Sequence, residues 1–131
     1  MKEPTWLDRV FLETIHAALV REHSGQLGIR DSNLVDSALA RAQNRWEYEP
    51  ESDLADLAAA YGFGLVKNHG FLDGNKRTAF MAIYVFLAIN GRELKAPETE
   101  VVNIVIGTAD GSINEDELAA WIRSHLTRYR S

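Results

Sequence analysis

The sequence predicts an all-α fold, a compact single-domain bundle of about six helices spanning residues 1–131. Three observations lead there. Apolar residues recur at three- and four-residue intervals along nearly the whole chain. Proline occurs only at positions 4, 50 and 97, so long stretches carry no helix breaker. No pair of alternating segments joined by a hairpin turn stands out. A chain of 131 residues is large enough for one core and too small for two.

Leu7, Val10, Phe11, Ile15, Ala18 and Leu19 give a first amphipathic helix over about residues 6–22, ended by the polar stretch HSGQLG. A second helix begins near Asp31 or Ser32, with Leu34, Val35, Ala38, Leu39 and Ala42 on one side. A third runs from about Asp53, a good N-cap reinforced by Asp56, to Asn68. Its alanine-rich body is apolar almost all round, the sign of a central buried helix. After a turn at 69–74, a fourth helix covers about Asn75 to Asn90, apolar on every face and expected to be buried as well. Asn90-Gly91 closes it with residues that tolerate a left-handed backbone. A short extended piece at Arg92–Ala96 leads to a fifth helix at 98–109, and Ser112 with Glu115 forms a capping box for a sixth at 114–127. Arg123, Arg128 and Arg130 then suit the solvated C-terminal end of that last helix. His16, His23 and His125 are read as surface residues.

Composition narrows the function. Hydrophobic residues make up 46% and charged residues 25%, as in an ordinary globular domain. The absence of cysteine excludes disulfides and cysteine-based zinc sites and fits a reducing compartment. A net charge of −5 argues against nucleic-acid binding, which draws its affinity from basic surface. The start MKEPTWLDRV lacks a secretory pattern, and the longest apolar run, Ala79–Ile89, is too short to span a bilayer. The expectation is a cytoplasmic protein with neither a membrane nor a nucleic-acid partner.

The turn between the two buried helices carries the chemistry. His69-Gly70-Phe71-Leu72-Asp73-Gly74-Asn75-Lys76-Arg77 packs a histidine, a carboxylate, an amide and two cations into nine positions. Gly74 can turn the chain into the fourth helix. The first turn of that helix, Asn75 to Arg77, presents backbone N–H groups without intrahelical partners at the positive end of the dipole, which makes an anion site. Arg77 can grip phosphate oxygens in a fork, and Lys76 adds a mobile point charge. Asp73, the carboxylate of the turn, suits Mg²⁺ beside a polyphosphate. His69 offers the side chain that exchanges protons near neutral pH, as a general base must. Phe71 points inward and anchors the turn. Taken singly, His69 reads as a surface histidine, Lys76-Arg77 as a solvated helix start and Asp73 as a cap. Their order between two buried helices points to a site.

The same nine residues resemble the signature of the Fic/Doc family, H-x-F-x-[D/E]-[G/A]-N-[G/K]-R. Likeness extends to GIRDSNLVDSALARAQNRWEYEP upstream and to FLAINGREL and GSINEDELAAWIR downstream, nearly the whole chain. Lys76 after the asparagine, where most Fic proteins have glycine, and Phe80, where they have a second arginine, make the Doc (death-on-curing) branch the nearer match. Fic enzymes transfer a nucleotide monophosphate, usually AMP, to a protein hydroxyl. Doc enzymes bind ATP in the opposite sense and transfer its γ-phosphate to a translation factor of the elongation factor Tu type. The resemblance therefore implies a toxin with protein kinase activity, using ATP and Mg²⁺. It makes His69 the base and Asp73 the metal ligand, with Gly74, Asn75, Lys76 and Arg77 holding phosphate. Lys67 matches a basic residue ahead of the motif in Doc and stands either as a further phosphate ligand or as a surface lysine. No inhibitory helix of the Fic kind is seen, so inhibition is expected from a separate, short, partly disordered antitoxin. Gly70 and Met81 depart from the family patterns: Fic motifs have proline at the first position, and Doc has asparagine at the second. AMP transfer and a non-catalytic nucleotide- or protein-binding module are the alternatives.

Overall fold

The computed structural model describes residues 1–22 and 25–128. Its elements are α1 (Arg9–Glu22), α2 (Ser32–Tyr48), α3 (Leu54–Asn68), α4 (Asn75–Ile89), β1 (Arg92–Leu94), α5 (Glu98–Asp110), α6 (Glu115–Ser124) and β2 (Leu126–Arg128). The all-α, six-helix expectation holds among these residues, and none of the helices is long and apolar enough to cross a membrane. His23 and Arg130 lie outside the described residues.

Helix α3 is the centre of the bundle. It packs against α2, α4 and α6, and Leu57 through Tyr61 are entirely buried. Its run of alanine and glycine lets neighbours approach closely: a Cβ on Gly64 would sit 3.2 Å from the Cα of Ala38 on α2. The buried Tyr61 hydroxyl accepts a hydrogen bond from the Leu7 N–H (3.0 Å), tying the segment before α1 to the core. Desolvation pushes this phenol up to about 12. The start of α3 is fixed as the sequence indicates, by a reciprocal capping box between Asp53 and Asp56. Arg123 of α6 binds both of these carboxylates, at 2.7 and 2.8 Å. Arg45 of α2 reaches Asp56 (3.5 Å) and Glu115. This ionic cluster joins α2, α3 and α6 at one end of α3, about 20 Å from the other at the 1.5 Å rise per residue of a helix.

Several expectations are corrected. Helix α1 starts at Arg9 rather than near residue 6, because Asp8 caps it through the Phe11 N–H (2.8 Å). Its buried stripe is Leu12, His16 and Val20, while Val10 (75% exposed) and Phe11 (44%) face outwards. Helix α4 is not buried all round: Phe80 and Met81 are half-exposed on one side and Ile89 is exposed. The capping box of α6 is Asn114 with Glu117, two residues beyond Ser112 and Glu115. The last helix then stops at Ser124, and residues 126–128 form a strand rather than a helix end. This strand pairs antiparallel with β1, in the register Arg92↔Arg128, Glu93↔Thr127 and Leu94↔Leu126. Strands of three residues are too short to leave a periodic signal, but Leu94 is buried and Leu126 packs on the core beside it. His125 is no free surface residue. It caps α6, its Nδ1 lies 2.8 Å from the Trp121 carbonyl, and its ring rests on the Trp121 indole.

The Arg123 contact holds the Asp53 carboxyl well below the ordinary range, at about 2, with the Asp56 N–H contributing. A depressed carboxyl stabilises the fold above its unfolded value, near 4, and that contribution is lost as pH falls through about 2. Stability should therefore decline across this window, modestly because the pair is half-exposed. Arg123→Ala should flatten this part of a urea-denaturation series against pH.

Candidate active site

The six residues between α3 and α4 are held by side chains and backbone from distant parts of the chain. His69, the C-cap of α3, has φ 50° and ψ 47° and is the non-glycine residue with positive φ among those described. Arg30 supports this unfavourable conformation. Its Nε donates to the His69 carbonyl (2.7 Å) and its guanidinium also to the Asn68 carbonyl (3.1 Å). A cation on the exposed carbonyls of a helix end suits both hydrogen bonding and the dipole. Next, the Gly70 carbonyl accepts from the N–H groups of Arg30 (2.8 Å) and Asp31 (3.1 Å), and Leu72 N–H donates to Gly28 O (3.1 Å). A Cβ on Gly70 would lie 2.6 Å from Val35 Cγ2 and 3.0 Å from its backbone nitrogen. The departure from proline at this position is thus a packing requirement of this chain.

Phe71 is buried as expected, and its ring stacks on His16 with centroids 3.9 Å apart and planes 13° from parallel. Asn75 reaches back to hold both backbone groups of Phe71: Oδ1 accepts from its N–H and Nδ2 donates to its carbonyl, each at 3.0 Å. The amide of Asn75 is therefore engaged in shaping the turn, whereas its backbone N–H remains part of the first turn of α4. Gly74 takes φ 75° at the N-cap, and no side chain caps this helix among the described residues. The free N–H groups of residues 75–77 stay open to an anion.

Asp73 is exposed at the mouth of this cradle. Its carboxylate accepts from the N–H of Gln26 (3.2 Å) and of Gly74 (2.8 Å). These two bonds, with the charge of Arg77 adding, hold its pKa below the ordinary carboxylate value. His69, Asp73, Gly74, Asn75, Lys76 and Arg77 all line one open groove of about 720 Å³. Lys76 and Arg77 are exposed, and neither joins an ion pair among the described residues. The structure does not bring Lys67 to the groove: its Nζ donates to Ala109 O (3.4 Å) at the end of α5 and lies over the Phe63 ring. Phe80 and Met81 line the groove and, with Val101, Val102, Val105 and Ile106 of α5, form an apolar wall. No three His, Asp or Glu side chains cluster as a metal cage among the described residues. A divalent ion at Asp73 would need further oxygens from a bound ligand, as Mg²⁺ commonly takes them from phosphate.

Residues 6–87 match the sequence model of the Fic/DOC family. The chain belongs to the Fic/Doc family. It is similar to the protein kinase doc of Escherichia phage P1, at 30% identity over 112 residues covering 86% of this chain and 88% of that one. Toxin Doc from Mycolicibacterium smegmatis is 45% identical over 73 residues, 55% of this chain and 56% of that one. The fold is also that of BepC, a VirB-translocated effector of Bartonella tribocorum solved with AMPPNP. The two superpose with a TM-score of 0.63 at 12% identity over 98% of this chain and 79% of that one.

Membership of the Fic/Doc family was legible in the motif, but several of its supports were not. His16 is corrected from surface residue to buried partner of the turn, only 2% exposed. The spacing Leu12-His16-Val20 along one helical stripe could have placed it there. Arg30 and the α5 wall carry no comparable signal, since their neighbours are remote in sequence. The division of labour in the turn is directly testable. Asn75→Ala would orphan two backbone groups and should cost roughly 1–3 kcal/mol of stability. Lys76→Ala should stay within about 0.5 kcal/mol, as thermal denaturation of the two variants would show.

Proposed function

We propose that this protein is a Doc-type toxin, a protein kinase that transfers the γ-phosphate of ATP to a Ser/Thr hydroxyl of an elongation factor Tu-like translation factor and so arrests growth. One observation carries the reading: His69, Asp73 and the Lys76–Arg77 helix start face a single groove, so a proton acceptor adjoins a phosphate cradle. The name of the phage P1 relative, a protein kinase, supports phosphate transfer, and the AMPPNP in BepC supports an ATP-like ligand. Lys76 favours the same choice, because its charge and bulk stand where most Fic proteins have glycine.

In this reading His69 accepts the proton of the target hydroxyl as the new O–Pγ bond forms. The bond from Pγ to the β,γ-bridging oxygen breaks, and ADP leaves with that oxygen. Asn75, Lys76 and Arg77 present N–H groups and charge to the phosphates, and the apolar wall of α4 and α5 shelters the rest of the nucleotide from water. The anionic, outward-facing carboxylate of Asp73 would hold a Mg²⁺ ion, which would neutralise phosphate charge when bound. An antitoxin of the short, partly disordered kind is the proposed partner that restrains the activity.

ATP labelled at the α or the γ position, incubated with purified translation factors and Mg²⁺, tests the reaction. Label from the γ position should appear on the target, and label retained from the α position would replace phosphate transfer by AMP transfer. His69→Ala should lower the rate by about 10²- to 10⁴-fold, and chelation of Mg²⁺ or Asp73→Ala should abolish transfer. Growth arrest undiminished by His69→Ala would favour a non-catalytic binding module.

A further inference from the structure

His16 lies in the middle of α1, far in sequence from the motif, and its imidazole is almost entirely buried. A polar ring is costly in such a place unless it is paired. Its Nε2 is 2.8 Å from the Asp73 carbonyl oxygen. A carbonyl oxygen can only accept, so Nε2 carries the proton in this contact. The ring face covers Phe71, and its edge lies under Gly74: a Cβ on Gly74 would be 3.8 Å from His16 Cδ2.

The bond has a geometric effect beyond its own energy. The Asp73 carbonyl and the Gly74 N–H belong to one planar peptide unit and turn together. His16 holds the oxygen end of that plane, while the N–H end donates to Asp73 Oδ1 at 2.8 Å. Rotating the plane would therefore pull the N–H away from the carboxylate and tilt the first peptide leading into α4. Resting on the nucleotide-binding reading above, we infer that His16 is a positioning residue. It aims the Asp73 carboxylate by fixing the 73–74 peptide plane from inside the bundle.

Phenylalanine at position 16 keeps a stacking ring but lacks the donor. Glutamine places an amide N–H at about the reach of Nε2 without the ring, and asparagine falls short. Calorimetric titration with AMPPNP, with and without Mg²⁺, should show His16→Phe weakening Mg²⁺-dependent binding by about 3- to 10-fold. Metal-free binding should change far less, and His16→Gln should recover most of the loss. In an Asp73→Asn background the His16→Phe effect should largely vanish, which a general loss of packing would not do. Equal Mg²⁺-dependent affinity of wild type and His16→Phe, or an undiminished effect in the Asp73→Asn background, would overturn the inference. If His16→Phe does not fold, His16→Gln against His16→Asn makes the same comparison. Failure of wild type to bind AMPPNP at all would instead count against the functional reading. The positioning contact is then decided by long-range ¹H–¹⁵N spectra of the free protein: a proton on Nε2 upholds it, and one on Nδ1 alone overturns it.

Discussion

The structure depends on satisfying the backbone of a six-residue turn between two largely buried helices. A peptide group buried there away from water is costly if it stays unpaired, and most groups of the turn have a partner in the protein. Arg30 takes the carbonyl of His69, the backbone of Arg30 and Asp31 takes that of Gly70, and Asn75 takes both groups of Phe71. Gly28 takes the N–H of Leu72, His16 the carbonyl of Asp73 and Thr78 that of Gly74. With these partners in place, His69 keeps a left-handed backbone, and the cations of the next helix turn are left free of structural duty.

This division also resolves an electrostatic contrast. The chain is acidic overall, yet the groove presents two cations and open helix N–H groups to an anion. Several carboxylates, those of Asp53, Asp56 and Glu115, are engaged with Arg45 and Arg123 at the start of α3. The site is at the opposite end of that helix. Among the described residues the groove is lined by two carboxylates, Asp73 and Glu98, and backbone hydrogen bonds hold Asp73 below the ordinary carboxylate range.

How much of this could be read in the sequence varied with the range of the interactions. Asp53 as a cap, the buried body of α3, the inward Phe71 and the glycine turn at Gly74 are local effects, and local patterns reveal them. The nine-residue motif likewise states its chemistry in its own spacing. The partners of the turn do not, because His16 and Arg30 are 57 and 39 positions from the groups they hold. Histidine is ordinarily a surface or active-site residue, so one used as a buried brace gives a misleading local signal. The same holds for α1, whose more conspicuous apolar residues, Val10 and Phe11, are those left outside. Lys67 has the right charge and lies two residues before His69, but helical geometry carries it towards α5 instead.

The remoteness of those partners bears on when the site comes into being. Closing chain segments of about forty to sixty residues costs entropy before any contact is gained, so the turn cannot order itself ahead of the bundle. Helices α3 and α4 could form and collapse together with the motif already between them, yet Asp73 and His69 would lack their braces until α1 and the start of α2 had docked. Local opening of α1 would undo the arrangement just as directly, and would expose Leu12 of the core as it did so. The full bracing of this turn therefore requires α1 and the start of α2 to be docked, and a chain lacking those contacts carries the motif without its supports.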